Sequence, residues 1–416
     1  MRARGFILSA VLATIAASAF AGNGPPEQWL QYASSDQPST TVGGTNGQQL
    51  KLTDKAPPGL ALPKFKSDKP LFALWKVKLD NACPRVAADG GIWLAIDQSR
   101  KDGPYDLLYA DAKAEGALAG ASPVKAGDVS EDKTINYAYA RFLHVRFTLP
   151  GPDGPAAYHA QFTYLRSKDE RNIYVYSACW YEGPVTIDGR RLWCLVADNN
   201  ANTRFDDSGT TRDACDRIRI VPPGEASQPG ADGEKTTRYV GRYVEVGGKL
   251  HLLTVSPDGA FVQFAPAGTL AEGAIRAPEG VEQFAVFGPA GNFICKPVGG
   301  LARVPAGEYM LDNWRLARAD AAEAIWRIGD RYNTAEKPVT VEPNQPADLD
   351  IGEPYVWEVT TGSGQSPREH SINVAIRARR RDTLTMTVNG NQPPPPKVHI
   401  TSADGKYDRT FSMEYG

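Results

Sequence analysis

The stretch from residue 238 to residue 255 decides the fold class. It consists of RYVGRYVEV (Arg238–Val246), the pair Gly247-Gly248, and KLHLLTV (Lys249–Val255). Aromatic and β-branched residues are enriched in both outer runs, as is typical of strands in a half-buried sheet. Glycine adopts positive φ angles without steric cost, so the glycine pair predicts a tight turn between two antiparallel strands.

Similar strand and turn signals occur elsewhere along the chain. Ile135–Phe147 and Asn172–Tyr176 carry the same enrichment in aromatic and β-branched residues. Asp188-Gly189, Asp258-Gly259 and Asp404-Gly405 are further dipeptides that favour hairpin turns. Turn signals that recur about every 8–12 residues are typical of β-sandwiches and small barrels.

The composition disfavours long helices. The chain has 32 prolines and 40 glycines, and both residue types weaken the interior of a helix. Ala319–Ile328 is rich in alanine, and we expect a short helix there. The sequence therefore predicts an all-β protein with two to three β-sandwich domains of the immunoglobulin-like type.

A local resemblance favours the same fold class. Val304-Pro305-Ala306-Gly307-Glu308-Tyr309 is similar to the P-x-G-x-Y strand entry of carboxypeptidase-regulatory-like and related immunoglobulin-like modules. The resemblance implies an accessory β-sandwich without catalysis of its own. A turn followed by a strand over Arg303–Leu311 is also expected without the resemblance.

The N-terminus has the features of an export signal. Arg2 and Arg4 precede a mostly apolar run over residues 6–15, and Ala19-Phe20-Ala21 is a small-x-small cleavage site. We expect cleavage after Ala21 and a secreted or periplasmic protein. No second apolar stretch of about 18 residues follows, so we expect no membrane span.

These signals divide the chain into six segments. Gly, Ser, Thr, Gln and Pro are frequent before residue 69, and a Pro- and Gly-rich stretch follows residue 221. The predicted segments are a signal peptide (1–21), a flexible lead-in (22–68), a β domain with an acidic loop (69–222), a linker (223–236), a β-sandwich domain (237–333) and a β-sandwich-like C-terminal domain (334–416).

The segment Asp198–Asp207 points to a specific ligand. Its sequence, DNNANTRFDD, places oxygen-bearing side chains at alternate positions, and such spacing suits a loop around a hard cation. The segment resembles the calcium loops of EF-hand and dockerin-type modules. The resemblance implies that the ligands are the side chains of Asp198, Asn200 and Asn202, the backbone carbonyl of Arg204, and Asp206 directly or through water.

The loop departs from that family pattern at two positions. Thr203 stands where a glycine normally makes the sharp turn, and Gly209 stands where a bidentate glutamate normally closes the site. Asp213 or Asp216 would supply the missing carboxylate if the chain folds back. We expect weak binding of one structural calcium ion, with a Kd of about 10⁻⁴–10⁻³ M. A turn rich in Asn and Asp that binds no ion is the alternative.

A second segment, Asp111–Gly120, aligns with Asp198–Asp207 without a gap. Both segments follow an apolar strand. We infer an internal repeat whose first copy has lost its ion. Lys113 would place an ammonium group at the position of the cation, held by its acidic neighbours Asp111 and Glu115. Chance similarity between two turns is the alternative.

Five cysteines follow the predicted cleavage site: Cys83, Cys179, Cys194, Cys215 and Cys295. Pairing is the default in an oxidising compartment, and the odd number leaves at least one thiol over. A bridge between Cys194 and Cys215 would close the base of the acidic loop, and Cys179 is a rival partner for Cys194. The spacing does not choose between these pairings.

Charge and motifs argue against several function classes. A net charge of −2 gives no excess of positive charge for nucleic acid, and we expect the basic run Arg377–Arg381 on the wet face of a strand. None of the five histidines forms an H-E-x-x-H motif, and the chain has no G-x-S-x-G elbow, P-loop or dinucleotide fingerprint. The tryptophans considered for a binding face are Trp180 (with Tyr181), Trp314, Trp326 and Trp357, although most tryptophans are core residues.

The predicted function is that of a non-enzymatic module, secreted or periplasmic, which a structural calcium ion stabilises. It would bind or support envelope or extracellular material, either polysaccharide or protein. The alternative is a secreted glycoside hydrolase, or an accessory domain of one, whose catalytic carboxylates the sequence does not identify. Two carboxylates about 5–9 Å apart in a cleft would favour that alternative.

Overall fold

The structure, a computed structural model, describes residues 25–42, 44–151, 154–168, 170–226, 236–330, 337–363, 370–379 and 384–415. Strands dominate these residues, and the helices α1 (Ser39–Val42) and α2 (Pro84–Asp89) are short. The all-β prediction is therefore confirmed. Within the described ranges, no helix has the length and apolar character needed to cross a membrane. The predicted signal peptide and its cleavage site, most of the predicted linker, and Arg380 and Arg381 lie outside the described residues.

Eighteen of the described strands precede residue 267. They are β1 (Gln28–Trp29), β2 (Gln31–Ser34), β3 (Gln48–Lys51), β4 (Leu71–Lys76), β5 (Gly91–Gln98), β6 (Tyr105–Ala110), β7 (Val124–Lys125), β8 (Asp128–Asp132), β9 (Tyr137–Gly151), β10 (Gly154–Ser167), β11 (Glu170–Ser177), β12 (Cys179–Ile187), β13 (Arg190–Ala197), β14 (Arg217–Val221), β15 (Thr237–Tyr239), β16 (Tyr243–Val246), β17 (Lys249–Val255) and β18 (Phe261–Pro266). Strands that follow one another mostly pair antiparallel, so much of this region consists of meanders.

These strands form four sheets around a shared core. Sheet 1 has the order β4-β5-β6-β7, sheet 2 the order β3-β11-β10-β9-β8, sheet 3 the order β15-β14-β13-β12-β2, and sheet 4 the order β1-β18-β17-β16. All four sheets contribute side chains to one apolar core. Trp75 of sheet 1 packs edge-to-face on Phe147 and Phe162 of sheet 2, with ring centroids 5.0 and 5.8 Å apart. Sheets 1 and 2 therefore face each other as the layers of a sandwich.

The structure differs from the predicted flexible lead-in. Strands β1, β2 and β3 each add an edge strand, to sheets 4, 3 and 2 respectively. Leu30, Leu50 and Leu52 are buried in the first core. A short edge strand needs few apolar residues because one of its faces meets solvent. The polar composition of residues 22–68 therefore predicted a flexible segment where the structure has three short strands.

Thirteen described strands follow residue 271. They are β19 (Glu272–Arg276), β20 (Val281–Gly288), β21 (Gly291–Cys295), β22 (Leu301–Pro305), β23 (Gly307–Ala319), β24 (Ile325–Asp330), β25 (Val339–Val341), β26 (Pro346–Asp348), β27 (Val356–Ser363), β28 (His370–Arg377), β29 (Leu384–Val388), β30 (Lys397–Thr401) and β31 (Asp408–Ser412). One sheet has the order β22-β19-β26, and another has the order β21-β20-β23-β24-β29 with β25 paired to β23. The hairpins β27-β28 and β30-β31 form separate two-stranded sheets.

The cores do not follow the predicted domain boundaries. The first core extends to Phe264 and the second begins at Ile275, so strands on both sides of the predicted linker 223–236 share one core. The second core also contains Val339 and Ala378, which lie in the predicted C-terminal domain 334–416. Composition does not show which strands share a core because sheet partners are often distant in sequence.

The predicted hairpin with its turn at Gly247-Gly248 is confirmed. Gly247 and Gly248 have φ angles of 61° and 78°, and β16 pairs with β17 across them. Residues Thr237–Tyr239, by contrast, belong to β15 of sheet 3 rather than to this hairpin. The first predicted strand therefore divides between two sheets.

The predicted helix at Ala319–Ile328 is wrong. Strand β23 ends at Ala319 and β24 begins at Ile325. The carboxylate of Asp320 accepts the backbone N–H groups of Ala322 and Ala324, at 2.9 and 3.0 Å. This local turn and the pairing of β24 with β23 and β29 outweigh the helix propensity of the alanines.

All five cysteines are free thiols, so neither predicted disulfide occurs in the structure. The strand register explains why. Cys194 lies opposite Gly183 of β12, whereas Cys179, at the start of β12, lies opposite Ser34 of β2. The thiol of Cys215 is hydrogen-bonded to backbone groups within the acidic loop.

Candidate functional site

The acidic loop, residues 198–216, connects β13 to β14 at the place where the four sheets meet. Backbone hydrogen bonds tie it to segments next to β3, β4 and β18: Gly47 N–H to Asn199 O, Lys78 N–H to Asn202 O, and Phe205 N–H to Pro257 O. The indole N–H of Trp75 also donates to the carbonyl of Ala201, at 2.6 Å. The loop is therefore held by sheets 1, 2 and 4 as well as by its own sheet 3.

Asp198 begins the loop and is fully buried. One carboxylate oxygen accepts the N–H of Asn202 at 3.3 Å. The other accepts the N–H of Thr203 at 2.7 Å and the hydroxyl of Tyr158 at 2.8 Å. Burial is the main cause that raises the pKa of Asp198 to about 7. This carboxylate organises the first half of the loop.

Thr203 has the backbone conformation that glycine supplies at the sixth position of calcium loops. Its φ angle is 78°, in the left-handed region that a β-branched residue rarely adopts. Ala201 is also left-handed, with a φ angle of 52°. Thr203 thus departs from the family pattern in its side chain and not in the course of its backbone.

Asn200, Asn202 and Asp207 converge within the loop. The side-chain amides of both asparagines donate to the same carboxylate oxygen of Asp207, that of Asn200 at 3.2 Å. The ammonium group of Lys78 donates to the other oxygen at 2.7 Å. Burial alone would raise the pKa of Asp207, but the hydrogen bonds from Lys78, Asn202 and Asn200 lower it. Asp207 is therefore the point at which the polar side chains of the loop meet.

Asp216 also belongs to this cluster. It is fully buried, and its two carboxylate oxygens accept the N–H groups of Asn199 and Asp207, at 3.0 and 2.8 Å. Burial raises its pKa well above the usual range, and the charges of Asp198 and Asp207 add to the effect. Asp216 closes the loop by joining its first and last turns.

Asp206 and Asp213, the other predicted carboxylate ligands, are placed differently. Both oxygens of Asp206 accept guanidinium N–H groups of Arg204, each at 2.9 Å. Asp213 is exposed in the 3-10 turn Arg212–Ala214. The structure thus brings together Asp198, Asn200, Asn202 and Asp216 of the predicted set.

The sequence did not reveal Asp207, Lys78 and Tyr158 as members of the site. Asp207 adjoins the predicted ligand Asp206, and strict alternation selected the latter. Alternation assumes an extended chain, whereas this chain turns at the left-handed residues Ala201 and Thr203. The contacts of Lys78 and Tyr158 with the loop arise from tertiary packing, so no local sequence pattern predicts them.

The first loop, Asp111–Gly120, repeats the backbone course of the second. The carboxylate of Asp111 accepts the N–H groups of Glu115 at 2.9 Å and Gly116 at 2.6 Å. These offsets are the ones at which Asp198 accepts its two backbone bonds. Gly116 has a φ angle of 79°, against 78° at the equivalent position of the second loop.

Lys113 does not take the position of a cation in the first loop. Its side chain is exposed, and the hydrogen bonds described for Asp111 come from the backbone of residues 115–117. An exposed ammonium group keeps its hydration and gains little from a surface ion pair. This hypothesis is therefore wrong, although the shared backbone course supports the repeat.

Comparison with known proteins assigns no family. No protein-family model matches this chain, and no curated protein or solved structure matches it either. Function is therefore inferred from the residues and their geometry alone.

A mostly apolar cleft opens beside the loop and contains the carboxylates of Asp80 and Asp258. Asp80 lies 3.7 Å from the guanidinium group of Arg204. Asp258 accepts the backbone N–H of Ala260 at 3.1 Å, within its own hairpin turn. Both carboxylates thus make local contacts that stabilise the walls of the cleft.

The candidate tryptophans divide between core and surface. Trp180 and Trp314 are buried, and their size accounts for their place in the core. Trp326 is partly buried in β24. Trp357 of β27 is 57% exposed, which makes it the most exposed of the four candidates.

Proposed function

We propose that this chain is an exported, non-enzymatic, β-rich module whose acidic loop holds one structural calcium ion. The observation that carries the proposal is the convergence of Asn200 and Asn202 on Asp207, beside the buried carboxylate of Asp198. The module would bind or support envelope or extracellular material, either polysaccharide or protein. Trp357 and Val359 are both exposed and lie two residues apart on one face of β27, and this support for a binding role rests on the tendency of exposed apolar patches to mark interaction sites.

The donor atoms of the loop suit calcium. Within the described residues, no three His, Cys, Asp or Glu side chains surround a common metal position, but calcium also takes amide and backbone oxygens. The side-chain oxygens of Asn200 and Asn202 accept the backbone N–H groups of Asn202 and Arg204, at 3.2 and 2.9 Å. An amide oxygen has a second lone pair, and this lone pair would face a cation near Asp207 once the amide N–H groups turn away from that carboxylate. The proposed ligands are Asp198, Asn200, Asn202, Asp207 and the carbonyl of Arg204.

The position of the loop favours a structural role over a signalling role. The loop is hydrogen-bonded to segments of all four sheets, and its first residues are buried. A Kd of about 10⁻⁴ M at ~1 mM calcium would add only ~1.4 kcal/mol to the free energy of unfolding. An ion of this affinity would stabilise a junction that protein contacts already form.

The arrangement of carboxylates supports a non-enzymatic module over a glycoside hydrolase. Hydrolysis needs one carboxylic acid and one carboxylate that face the scissile bond. In the cleft beside the loop, Asp80 lies next to Arg204 and Asp258 is bonded within its own turn. No specific observation favours the hydrolase.

Free thiols are compatible with export. Burial raises the pKa of Cys179 to about 11 and that of Cys295 to about 12. The thiolate is the form that is oxidised, so buried thiols with raised pKa values react slowly. The four buried cysteines can therefore stay unpaired in an oxidising compartment.

Calcium-dependent stability tests the proposal. The purified full chain would be melted in 10 mM calcium and in chelator, and calcium binding would be measured by calorimetry. We expect binding of one ion and a rise in Tm of several degrees, because roughly 1–3 kcal/mol of linkage acts on a domain of this size. Both effects should disappear in Asp198→Asn and weaken in Asn200→Ala, which leaves the buried carboxylate in place.

The first loop provides the matched control. Asp111→Asn removes an equivalent carboxylate from a loop that lacks the two asparagines, so this variant should keep the full response to calcium. If the full chain takes up no calcium, or if Asp111→Asn loses the response while Asn200→Ala keeps it, the proposed site is wrong.

A further inference from the structure

Strand β27 forms an open sheet edge in the second half of the chain. Among the described strands, β27 (Val356–Ser363) pairs with β28 alone, and the two form a separate sheet. The hairpin leaves the second core after Tyr355 and returns to it at Ala378. A two-stranded sheet is marginally stable in water, and a third strand or a packed face normally completes it. The backbone N–H and C=O groups along the outer edge of β27 can therefore pair with another strand.

One face of this hairpin is apolar. The register of β27 with β28 places six side chains on that face: Trp357, Val359, Thr361, Ile372, Val374 and Ile376. Trp357 and Val359 are 57% and 58% exposed. Glu358 lies on the opposite face, where its carboxylate accepts a guanidinium N–H of Arg377 at 2.7 Å. The only charge of β27 is thus balanced within its own hairpin, and exposed apolar side chains border the open edge.

The edge of β27 lacks the features that normally prevent strand addition. Natural edge strands are protected by short length, bulges, prolines or charged side chains, lysine above all. Strand β27 has eight residues, contains no proline or lysine, and pairs with β28 without a shift in register. By contrast, the edge strand β8 of sheet 2 is acidic at three of its five positions, Asp128, Glu131 and Asp132. Strand addition is therefore disfavoured at β8 and favoured at β27.

We propose that β27 pairs antiparallel with β27 of a second copy of this chain, so that two hairpins form one four-stranded sheet. Each copy then supplies the neighbouring strand that the other lacks, and four strands meet the requirement for a stable sheet. A two-fold axis uses the same edge of both copies, which closes the assembly at a dimer. The occupant of the open edge is therefore the same edge of a second chain.

The side chains of β27 select the register of this pairing. If the two-fold axis passed through Glu358, the two glutamates would lie directly opposite each other, and like charges in that arrangement are destabilising. An axis through Val359 places the two valines opposite each other and Trp357 opposite Thr361 of the partner subunit. Pairs of aromatic and β-branched side chains stabilise antiparallel strands. Val359 is therefore the centre of the pairing.

The area of the contact sets the strength of the dimer. Two paired strands of this length bury on the order of 1,000 Å² in total, near the lower limit for a specific interface. We expect a reversible dimer with a Kd in the micromolar range. Trp357 and Val359 of both copies lie on one face of the joined sheet, so the dimer doubles the exposed apolar patch. The pairing itself requires neither calcium nor the function proposed above.

Analytical ultracentrifugation of the full chain tests for the dimer. We expect the weight-average mass to rise from one chain toward two between about 1 and 100 μM protein, in calcium and in chelator alike. Val359→Lys should remain monomeric, because two ammonium groups would lie directly opposite each other on the axis. Thr360→Lys is the matched control. It places the ammonium group opposite Glu358 of the partner subunit and should still dimerise. Melting curves that match the parent chain would show that both variants fold.

Disulfide formation tests the register. The Cys83→Ser chain keeps only buried native thiols. In that chain, Val359→Cys should form a covalent dimer on mild oxidation, since directly opposite Cα atoms lie about 4.5–5.5 Å apart, within the range of a disulfide. Thr360→Cys should not, because the two positions are diagonal neighbours about 7–8 Å apart. A monomer at every concentration, growth beyond two chains, a Val359→Lys dimer, or a disulfide at position 360 and not at 359 would contradict the proposal.

Discussion

Asp111 and Asp198 are equivalent residues in two loops that share one backbone course. Each carboxylate accepts the N–H groups four and five residues further along the chain. The second loop alone adds Asn200 and Asn202, which converge on Asp207. The two loops therefore provide a matched comparison in which the backbone is held nearly constant and the ligand-forming side chains differ.

Thr203→Gly should stabilise the protein. Thr203 is β-branched and left-handed, with a φ angle of 78°, and this conformation costs roughly 1–2 kcal/mol in an L-residue other than glycine. The variant loses the hydrogen bond from the Thr203 hydroxyl to the carbonyl of Asn202. We expect a net gain of about 1 kcal/mol in the free energy of unfolding, measured by denaturant titration, together with tighter calcium binding.

Gly116→Ala is the counterpart in the first loop. Gly116 has a φ angle of 79°, and a Cβ atom there would lie 2.6 Å from the Cβ atom of Arg85. The variant should lower the free energy of unfolding by about 1–3 kcal/mol. The two variants test whether a side chain is unfavourable at the equivalent left-handed positions of both loops. If Gly116→Ala is as stable as the parent chain, or if Thr203→Gly is less stable, this expectation is wrong.

Local signals predicted the strands and turns well, but not their assembly. The Gly247-Gly248 hairpin was predicted because a tight turn with two adjacent positive φ angles favours glycine at both positions, and glycine is visible in the sequence. Strands β1 to β3 were not found, since their partners supply most of the buried surface. Sheet pairing between β3 and β11, or between β2 and β12, is a long-range property that composition does not encode.

The candidate loop shows the same limit on a smaller scale. Asp198 was identified because its spacing from Asn200 and Asn202 is a local property. Asp207 was missed because the chain turns at Ala201 and Thr203, so the alternation of an extended strand does not continue to the end of the loop. Lys78 and Tyr158 reach the loop from other strands, so only the folded chain reveals them.

Arg212 and Asp312 should couple the acidic loop to the second core. The guanidinium group of Arg212 donates to a carboxylate oxygen of Asp312 at 2.8 Å and to its carbonyl oxygen. Both side chains are largely buried. A double-mutant cycle with Arg212→Ala and Asp312→Ala should give a coupling energy of roughly 1–3 kcal/mol in denaturant unfolding. Strict additivity of the two variants would mean that the pair does not join the loop to the second core.

The thiols should differ in reactivity according to burial. Cys83 is partly exposed, whereas the other four cysteines are buried. We expect a thiol reagent to label Cys83 alone in the native protein and all five thiols in denaturant, with no reductant added. Cys83→Ser should abolish the native labelling. Fewer than five thiols in the denatured, unreduced protein would show that a disulfide forms after all.

Tyr164→Phe should stabilise the protein and reduce the loss of unfolding free energy at alkaline pH. The Tyr164 hydroxyl is buried and has no hydrogen-bond partner among the described residues, and an unpaired buried polar group costs about 1–3 kcal/mol. Burial raises the pKa of Tyr164 to about 12, above the value of about 10 in an unfolded chain.

The sign of the pH effect follows from this difference. The folded state prefers the protonated phenol of Tyr164. The contribution of this preference to the free energy of unfolding is therefore complete below pH 10 and is lost as the pH rises through 12. Denaturant titrations at pH 8 and pH 11 should therefore show a smaller loss of unfolding free energy in Tyr164→Phe than in the parent chain. Tyr407→Phe, which alters an exposed tyrosine, serves as the control and should match the parent. An equal alkaline loss in all three proteins would mean that Tyr164 ionises no differently in the folded and unfolded chains.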